Sequence, residues 1–258
     1  MQDVSRQVTL VVRMLLPWGT EISAGVGVAA GLALAGGGFA YAAMGPGSQI
    51  FGKTLIAPNN AGELALTFDD GPNPAWTPRL LDVLASHDIR ATFFLVGTHA
   101  QAEPELVRRM AAAGHLIGNH SWTHPNLAIA PPWRVQEELA WTTETLEQII
   151  GAQVKHFRPP FGGRRPLVLQ TARALGMAPV LWNAMTSDWE TESADVIAER
   201  LEGKIDHLRQ NGRAANIVLH DAGHMDRAAY REPSVTAAGM LAMRYKATHR
   251  FVTLDAWG

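Results

Sequence analysis

Two adjacent carboxylates, Asp69 and Asp70, end an apolar run in LTFDDGP and are followed by Gly-Pro. Like charges this close in a confined site repel each other unless a positive charge lies beside them. His120 and His124, in NHSWTH, have the four-residue spacing that allows two imidazoles to bind one ion. Two imidazoles and one carboxylate leave coordination positions open for water and substrate. The pattern predicts a metal site in which the other aspartate is free to act as a base.

Short apolar runs alternate with helical segments from residue 62 to the end of the chain. The runs predicted as strands are ELALTF, ATFFLV, HLIGN, KHFRPP, APVLWN, ANIVLH and RFVTLD. Alternating strands and helices favour a parallel sheet with helices outside it. Seven such units predict an α/β fold, specifically a distorted seven-stranded (β/α) barrel. An open doubly wound sheet is the structural alternative.

Further polar side chains follow the carboxyl ends of these predicted strands, where parallel α/β folds place their sites. They are Arg158 after the fourth strand, Asp188 and Trp189 after the fifth, and His220 and Asp221 at the end of the sixth. Together with the aspartate pair and the two histidines, they predict one shared site. Asp188 either pairs with Arg158 or orients His220. His224 either lines the cleft or is a solvated loop residue.

Composition excludes several classes of function. The chain has 258 residues, a net charge of −2 and no cysteine. Disulfides, thiolate nucleophiles and cysteine-based zinc sites are therefore excluded, and any metal must be held by histidine and carboxylate. No long basic or acidic run is present, so we expect no nucleic-acid partner. The oligomeric state cannot be predicted.

The N-terminal part of the chain differs in character from the rest. Residues 22–44 contain no charged residue and would span about 34 Å as a helix, which is enough for a bilayer core. An uncleaved membrane anchor, formed by a hydrophobic helix outside the barrel, is the favoured interpretation. A cleaved export signal and a glycine-rich soluble segment are the alternatives. Residues 1–21 would flank this segment, residues 45–61 would form a linker, and residues 62–258 would form the catalytic domain.

Five motifs give the chain a resemblance to a known family. TFDDGP, NHSWTHPNL, RPPFG, SDW and LHD occur in this order and with suitable spacing. In these motifs the chain resembles the polysaccharide deacetylases, carbohydrate esterase family 4, also called the NodB homology domain. The resemblance covers residues 62–258 and implies a distorted (β/α) barrel that removes N-acetyl groups from sugars.

The resemblance also implies a role for each matching residue. The resemblance implies that Asp69 is the general base, which Arg158 supports, and that His220 is the general acid. It implies that Asp70, His120 and His124 are the metal ligands. The backbone N–H of Phe161 would stabilise the oxyanion, and Trp189 and Leu219 would form the apolar walls of the acetyl pocket. Asp188, in the SDW motif, is also expected to be a catalytic residue. Many members of the family have an acidic residue where this chain has Met185, and Asn183 also lies in this segment. This departure concerns contacts with the substrate and not catalysis.

The predicted function is a metal-dependent hydrolase that deacetylates a polysaccharide or cell-surface glycan, through water activated by the metal. Zinc is the expected metal, with cobalt or nickel as alternatives. The glycan could be chitin-like, peptidoglycan or another surface polysaccharide. An esterase, a hydrolase of another non-peptide C–N bond, and a catalytically silent glycan-binding protein are alternative functions. The ligand set also suits a non-haem iron oxygenase. We expect the catalytic domain to lie outside the cytoplasm, either anchored to the membrane or secreted.

Overall fold

The computed structural model of the protein describes residues 36–190 and 193–258. Residues 36–44 are helical, and the chain divides after Tyr41, so that Ala42–Gly258 form one compact unit. The part of residues 22–44 that precedes residue 36 lies outside the described residues, and the predicted anchor therefore stays a prediction. Among the helices that the structure describes, none combines the length and apolar character needed to cross a membrane.

Strands and helices alternate along the compact unit. The strands are β1 (Glu63–Asp69), β2 (Thr92–Leu95), β3 (Leu116–Asn119), β4 (His156–Phe157), β5 (Ala178–Pro179), β6 (Ala184–Met185), β7 (Ala215–His220) and β8 (Arg250–Phe251). The helices are α1 (Thr77–Ser86), α2 (Gly97–Ala102), α3 (Pro104–Ala112), α4 (Pro132–Ile150), α5 (Pro166–Ala174), α6 (Ala194–Gln210) and α7 (Glu232–Tyr245). Five of these helices have proline in the first turn, where no intrahelical partner for its missing N–H is needed.

All strand pairs in the sheet are parallel. Seven strands follow the order β5-β4-β3-β2-β1-β7-β6, and β8 pairs with the first two residues of β1. Pro179 ends β5 at one edge and Ala184 begins β6 at the other, so only four residues, 180–183, lie between the two edges. The five Cα–Cα steps from Pro179 to Ala184 span at most about 17 Å, so the sheet must curl until its edges approach each other. The fold is therefore an α/β half-barrel and not an open doubly wound sheet.

Residues 54–58 fill the seam between the two edges of the curled sheet. The N–H of Leu55 donates to the carbonyl of Pro179, and the N–H of Leu181 donates back to the carbonyl of Leu55. On the other side of the seam, the Asn216 side chain donates to the carbonyl of Ile56. Residues that precede β1 therefore complete the barrel wall, within the stretch that the sequence suggests is a linker.

The main hydrophobic core lies between the outer face of the sheet and the helices. Leu64, Leu66 and Phe68 on alternate positions of β1 belong to this core, together with the buried faces of the helices. The intervening residues, among them Thr67 and Asp69, point to the inside of the half-barrel because side chains alternate along a strand. Both faces of β1 are buried, as is typical of parallel sheets.

The fifth predicted strand differs from the observed structure. APVLWN, residues 178–183, does not form one strand: it contributes β5 at its start and leads into β6 after its end. The backbone in between is hydrogen-bonded to Leu55 at the seam, which only the tertiary fold brings there. The last strand is also shorter than predicted, because RFVTLD continues into the 3-10 turn Leu254–Trp257.

Candidate active site

The two histidines and one aspartate of the predicted metal site converge at the carboxyl end of the sheet. Oδ1 of Asp70 lies 3.2 Å from Nε2 of His124 and 3.5 Å from Nε2 of His120. All three side chains are buried. No other group of metal-binding residues of this kind occurs in the part of the chain that the structure describes.

These ligands sit on unusual backbone conformations. Asp70 and His124 have positive φ angles of 72° and 59°, a left-handed region that non-glycine residues rarely adopt. Nδ1 of His99 donates to the backbone carbonyl of Asp70 at 2.8 Å, and the N–H of His124 donates to Oγ of Ser121 at 3.1 Å. A side chain from α2 therefore holds Asp70 in place, and a side chain of the same loop holds His124.

Gly71 follows the aspartate pair because no side chain fits at this position. A Cβ there would lie 2.5 Å from both carboxylate oxygens of Asp221. Asp221 is buried and accepts a hydrogen bond from the hydroxyl of Thr77. The glycine of LTFDDGP thus allows the loop after β1 to pack against the end of β7.

Burial sets the protonation states of the ligands. Burial lowers the pKa of His120 to about 3. Burial and the neighbouring His120 lower the pKa of His124 to about 2. Burial also raises the pKa of Asp70 to about 6, so this carboxylate is ionised at neutral pH. Two neutral imidazoles and one carboxylate are the forms that bind a metal ion.

The triad fits a divalent cation. Oδ1 of Asp70 is buried and has no hydrogen-bond partner among the described residues, although it faces two imidazole nitrogens. The Nδ1–H of His120 donates to the carbonyl of Arg158 at 2.7 Å, which leaves the lone pair of Nε2 directed at Asp70. Ligand atoms of one tetrahedral zinc ion lie about 3.3 Å apart, close to the distances of Oδ1 of Asp70 from the two imidazole nitrogens.

Asp69 is held by a different set of partners. Nη1 of Arg158 donates to Oδ1 of Asp69 at 2.7 Å and to the hydroxyl of Thr67 at 2.8 Å, while Nη2 donates to Oδ1 of Asn216 at 3.2 Å. Arg158 is fully buried, and its guanidinium lies 4.2 Å from the centre of the Phe94 ring. The second oxygen of Asp69, Oδ2, lies 3.8 Å from Nε2 of His120. The two neighbouring aspartates thus have separate environments.

His220 forms a hydrogen-bonded pair with Asp188, which answers the choice that the sequence leaves open. Nδ1 of His220 donates to Oδ1 of Asp188 at 2.8 Å, and the backbone N–H of His220 donates to Oδ2 at the same distance. Ser234 also donates to Oδ2 of Asp188. Burial alone would lower the pKa of His220, but the Asp188 charge and hydrogen bond, with Asp70 and Asp69, raise it to about 9. His220 is therefore protonated at neutral pH.

Aromatic rings form the rim of the site. The Trp189 ring, about half exposed, packs edge-on against His220 with centroids 5.0 Å apart. Phe161 lies in the 3-10 turn Pro160–Gly162 with φ at 57°, and its ring contacts His124 edge-on at 4.6 Å. The ring of His224 stacks on the ring of His124, with centroids 4.4 Å apart. His224 therefore lines the cleft.

Leu219 is the one predicted site residue that the structure does not bring to the site. Its side chain is fully buried in the core under the helices. Because side chains alternate along β7, the residue on the same side of the sheet as His220 is Val218. Val218 packs with Trp182 at the inner face. The remaining predicted residues lie together: Asp69, Asp70, His120, His124, Arg158, Phe161, Asp188, Trp189 and His220.

Several known proteins are similar to this chain. A family model described as polysaccharide deacetylase matches residues 57–180. A peptidoglycan-N-acetylglucosamine deacetylase of Bacillus cereus is 36% identical over 207 residues, covering 80% of this chain and 72% of that protein. The chain belongs to the polysaccharide deacetylase family. It is a polysaccharide deacetylase enzyme of carbohydrate esterase family 4, as the resemblance in its five motifs predicts.

Two further relatives support membership of this deacetylase family. A chitooligosaccharide deacetylase of Azorhizobium caulinodans is 35% identical over 183 residues, covering 70% of this chain and 84% of that protein. A solved structure of a peptidoglycan N-acetylglucosamine deacetylase, in complex with 4-naphthalen-1-yl-N-oxidanyl-benzamide, superposes with a TM-score of 0.70. That structure is 35% identical and the match covers 79% of this chain and 91% of that one.

Several supporting residues of the deacetylase site were not identified from the sequence. Thr67 lies two residues before Asp69 on β1, and Asn216 lies four residues before His220 on β7. Side chains alternate along a strand, so each lies on the same face as the site residue after it, and this spacing could have indicated both as supporting residues. His99 and Ser234, in contrast, lie on α2 and α7. No spacing in the sequence relates these two side chains to the residues that they support.

Proposed function

We propose that this deacetylase hydrolyses the N-acetyl group of an N-acetylated glycan, with Asp69 as general base and His220 as general acid. Asp70, His120 and His124 would hold a divalent cation. One observation supports this proposal above the others: three buried ligands converge beside a second carboxylate that has its own partner, Arg158.

The partners of Asp69 suit a general base. Arg158 engages Oδ1, which stabilises the negative charge and fixes the orientation of the carboxylate. Oδ2 lies on the side of the metal ligands, 3.8 Å from Nε2 of His120. Oδ2 is therefore the atom that would accept a proton from the attacking water.

The partners of His220 suit a general acid. Asp188 occupies Nδ1, so Nε2 is the atom that would deliver a proton to the leaving amine. A pKa of about 9 means that this proton is present at neutral pH. Asp69 and His220 are paired residues of adjacent strands, so base and acid lie side by side. An amine leaves poorly without a proton, and the pair therefore suits an amide substrate.

The ligand set predicts the cation and its contribution. Two imidazole nitrogens and one carboxylate oxygen favour zinc, and the same donors accept cobalt or nickel. When bound, such a cation lowers the pKa of water and polarises a carbonyl oxygen. The backbone N–H of Phe161, on its left-handed turn, would donate to the developing oxyanion. Trp189 would form a wall of the acetyl pocket.

The substrate class follows from the relatives that the chain resembles. Their names include peptidoglycan-N-acetylglucosamine deacetylase and chitooligosaccharide deacetylase. We propose an N-acetylated cell-surface glycan or chitin-like oligosaccharide as the substrate. The test is acetate release from peptidoglycan fragments and chitooligosaccharides, with zinc, cobalt or nickel added to chelator-treated protein. Acetate release that depends on an added metal is expected, and equal release from metal-free protein would contradict the proposal.

We further propose that the catalytic unit works outside the cytoplasm, anchored through the part of residues 22–44 that precedes Ala42, where the compact unit begins. The support is the uncharged character of this segment and the length of about 30 Å that residues 22–41 would have as a helix. A location outside the cytoplasm would bring the enzyme to the cell-surface glycans that form its proposed substrate class.

A further inference from the structure

His224 contacts two of the three candidate metal ligands. Its Nδ1 lies 3.8 Å from Oδ2 of Asp70. Its ring stacks on the ring of His124, with centroids 4.4 Å apart and an interplanar angle of 26°. The side chain is 36% exposed, so it forms the solvent side of the pocket. One residue of the loop after β7 thus reaches ligands from two other segments.

The two histidine ligands differ in how their rings are oriented. His120 donates from Nδ1 to the carbonyl of Arg158, which is the usual way in which a ligating imidazole is fixed. Nδ1 of His124 is buried but has no hydrogen-bond partner among the described residues. The orientation of His124 therefore depends on the rings around it. His224 covers one face, and Phe161 meets the ring edge-on at 4.6 Å.

We propose that His224 is a positioning residue of the metal site, and that it acts through its ring. Stacking on His124 replaces the hydrogen bond that this ligand lacks. The inference rests on the metal site proposed above. It concerns the affinity of the site for its cation and assigns His224 no contact with the reacting atoms.

The geometry argues for a contribution of the ring and against one of its nitrogens. Nδ1 of His224 lies 3.8 Å from Oδ2 of Asp70, which is too long for a hydrogen bond. The group of converging ligand atoms consists of Asp70, His120 and His124 and does not include His224. A phenylalanine ring can stack on His124 in the same way, whereas it cannot bind a metal.

The test measures metal binding by the metal-free, full-length protein. Co²⁺ is titrated and its visible absorption followed, and Zn²⁺ affinity is measured by competition with a chelator. His224→Ala should weaken binding of both ions by at least about 10-fold, the usual effect of losing a residue that orients a ligand. His224→Phe should bind both ions within about 3-fold of the wild type. Both results are expected in the absence of substrate.

Met225→Ala is the matched control, because Met225 is the next residue in the loop and is 89% exposed. Its metal affinity should equal that of the wild type. Wild-type affinity in His224→Ala would overturn the proposal. Weak binding by His224→Phe, in a protein with wild-type thermal unfolding, would also overturn it, because the nitrogen would then be what matters.

His120→Ala distinguishes failure of this inference from failure of the proposed function. If His120→Ala loses the metal while His224→Ala binds as the wild type does, the metal site stands and only the role of His224 is wrong. If His120→Ala binds metal normally, the proposed metal site itself is wrong.

Discussion

Two neighbouring aspartates acquire different chemistry from their partners. Asp69 is hydrogen-bonded to the buried guanidinium of Arg158, whereas Asp70 faces the imidazoles of His120 and His124. The carboxyl groups are identical, so the difference must come from the environment of each. Fixed partners around each carboxylate allow one to serve as a ligand while the other remains available for proton transfer.

The pair of Asp188 and His220 predicts how activity depends on pH. A raised pKa means that His220 keeps its proton below about 9 and loses it above that value. Asp188→Asn removes the charge that raises the pKa, and burial then lowers it. The alkaline limb of kcat/KM should move to lower pH, with about 10²-fold lower activity at pH 8. The pH profile of acetate release checks this.

Glu190→Gln is the control for that experiment. Glu190 is an exposed carboxylate two residues from Asp188, so its loss should leave the alkaline limb in place. An unchanged alkaline limb in Asp188→Asn would contradict the role of the pair.

At the scale of elements, a buried arginine joins the loop of Phe161 to the segment before the barrel. Arg164 is almost fully buried and donates to the carbonyls of Gly45 at 2.6 Å and Ser48 at 2.8 Å. It also donates to the carbonyl of Gly162 at 2.9 Å. The turn with the proposed oxyanion donor is thus tied to residues 43–48.

Arg164→Met should destabilise this junction. The carbonyls of Gly45, Ser48 and Gly162 would lose a charged donor, so we expect the free energy of unfolding to fall by about 3 kcal/mol or more. Arg173→Met is the matched control, because Arg173 also donates to a backbone carbonyl, that of Lys53, but is exposed. Its effect should stay within about 0.5 kcal/mol. Urea denaturation measures both, and equal stability of the two variants would contradict the role of Arg164.

The elements that the sequence predicts best are those with one dominant local signal. β1, β2, β3 and β7 follow continuous apolar runs, and the helices begin near prolines, so both are visible in the local pattern. The site residues at the ends of these strands could be predicted for the same reason, because parallel strands bring their carboxyl ends to one edge.

Features that depend on contacts distant in sequence could not be predicted in the same way. The APVLWN run has a strand composition, but its backbone pairs with Leu55 at the seam, and this register is set by the curl of the whole sheet. The LHD motif predicts that Leu219 lines the acetyl pocket, although strand alternation puts it on the face opposite to His220. The contact of His224 with His124 depends on the path of a loop, for which the sequence has no periodic signal.

At the scale of the whole molecule, the anchor predicted in residues 22–44 has a direct consequence. Full-length protein should fractionate with membranes and remain there after a high-salt wash, because apolar insertion does not depend on charge. Val28→Arg with Leu32→Arg should release the protein, since each arginine costs about 3 kcal/mol within a bilayer. Acetate release by the released variant reports whether the catalytic unit is intact. Full-length wild-type protein in the soluble cytoplasmic fraction would contradict both the anchor and the export signal.

The division of labour between Asp69 and Asp70 is the central claim, and paired amide substitutions test it most directly. Asp69→Asn and Asp70→Asn each replace one carboxylate by a group of the same size. Metal content and acetate release from an N-acetylated glycan are measured on the same preparations. Asp69→Asn should keep its metal and lose about 10²- to 10⁴-fold in turnover, whereas Asp70→Asn should lose both. Full activity in Asp69→Asn, or normal metal content in Asp70→Asn, would contradict the account.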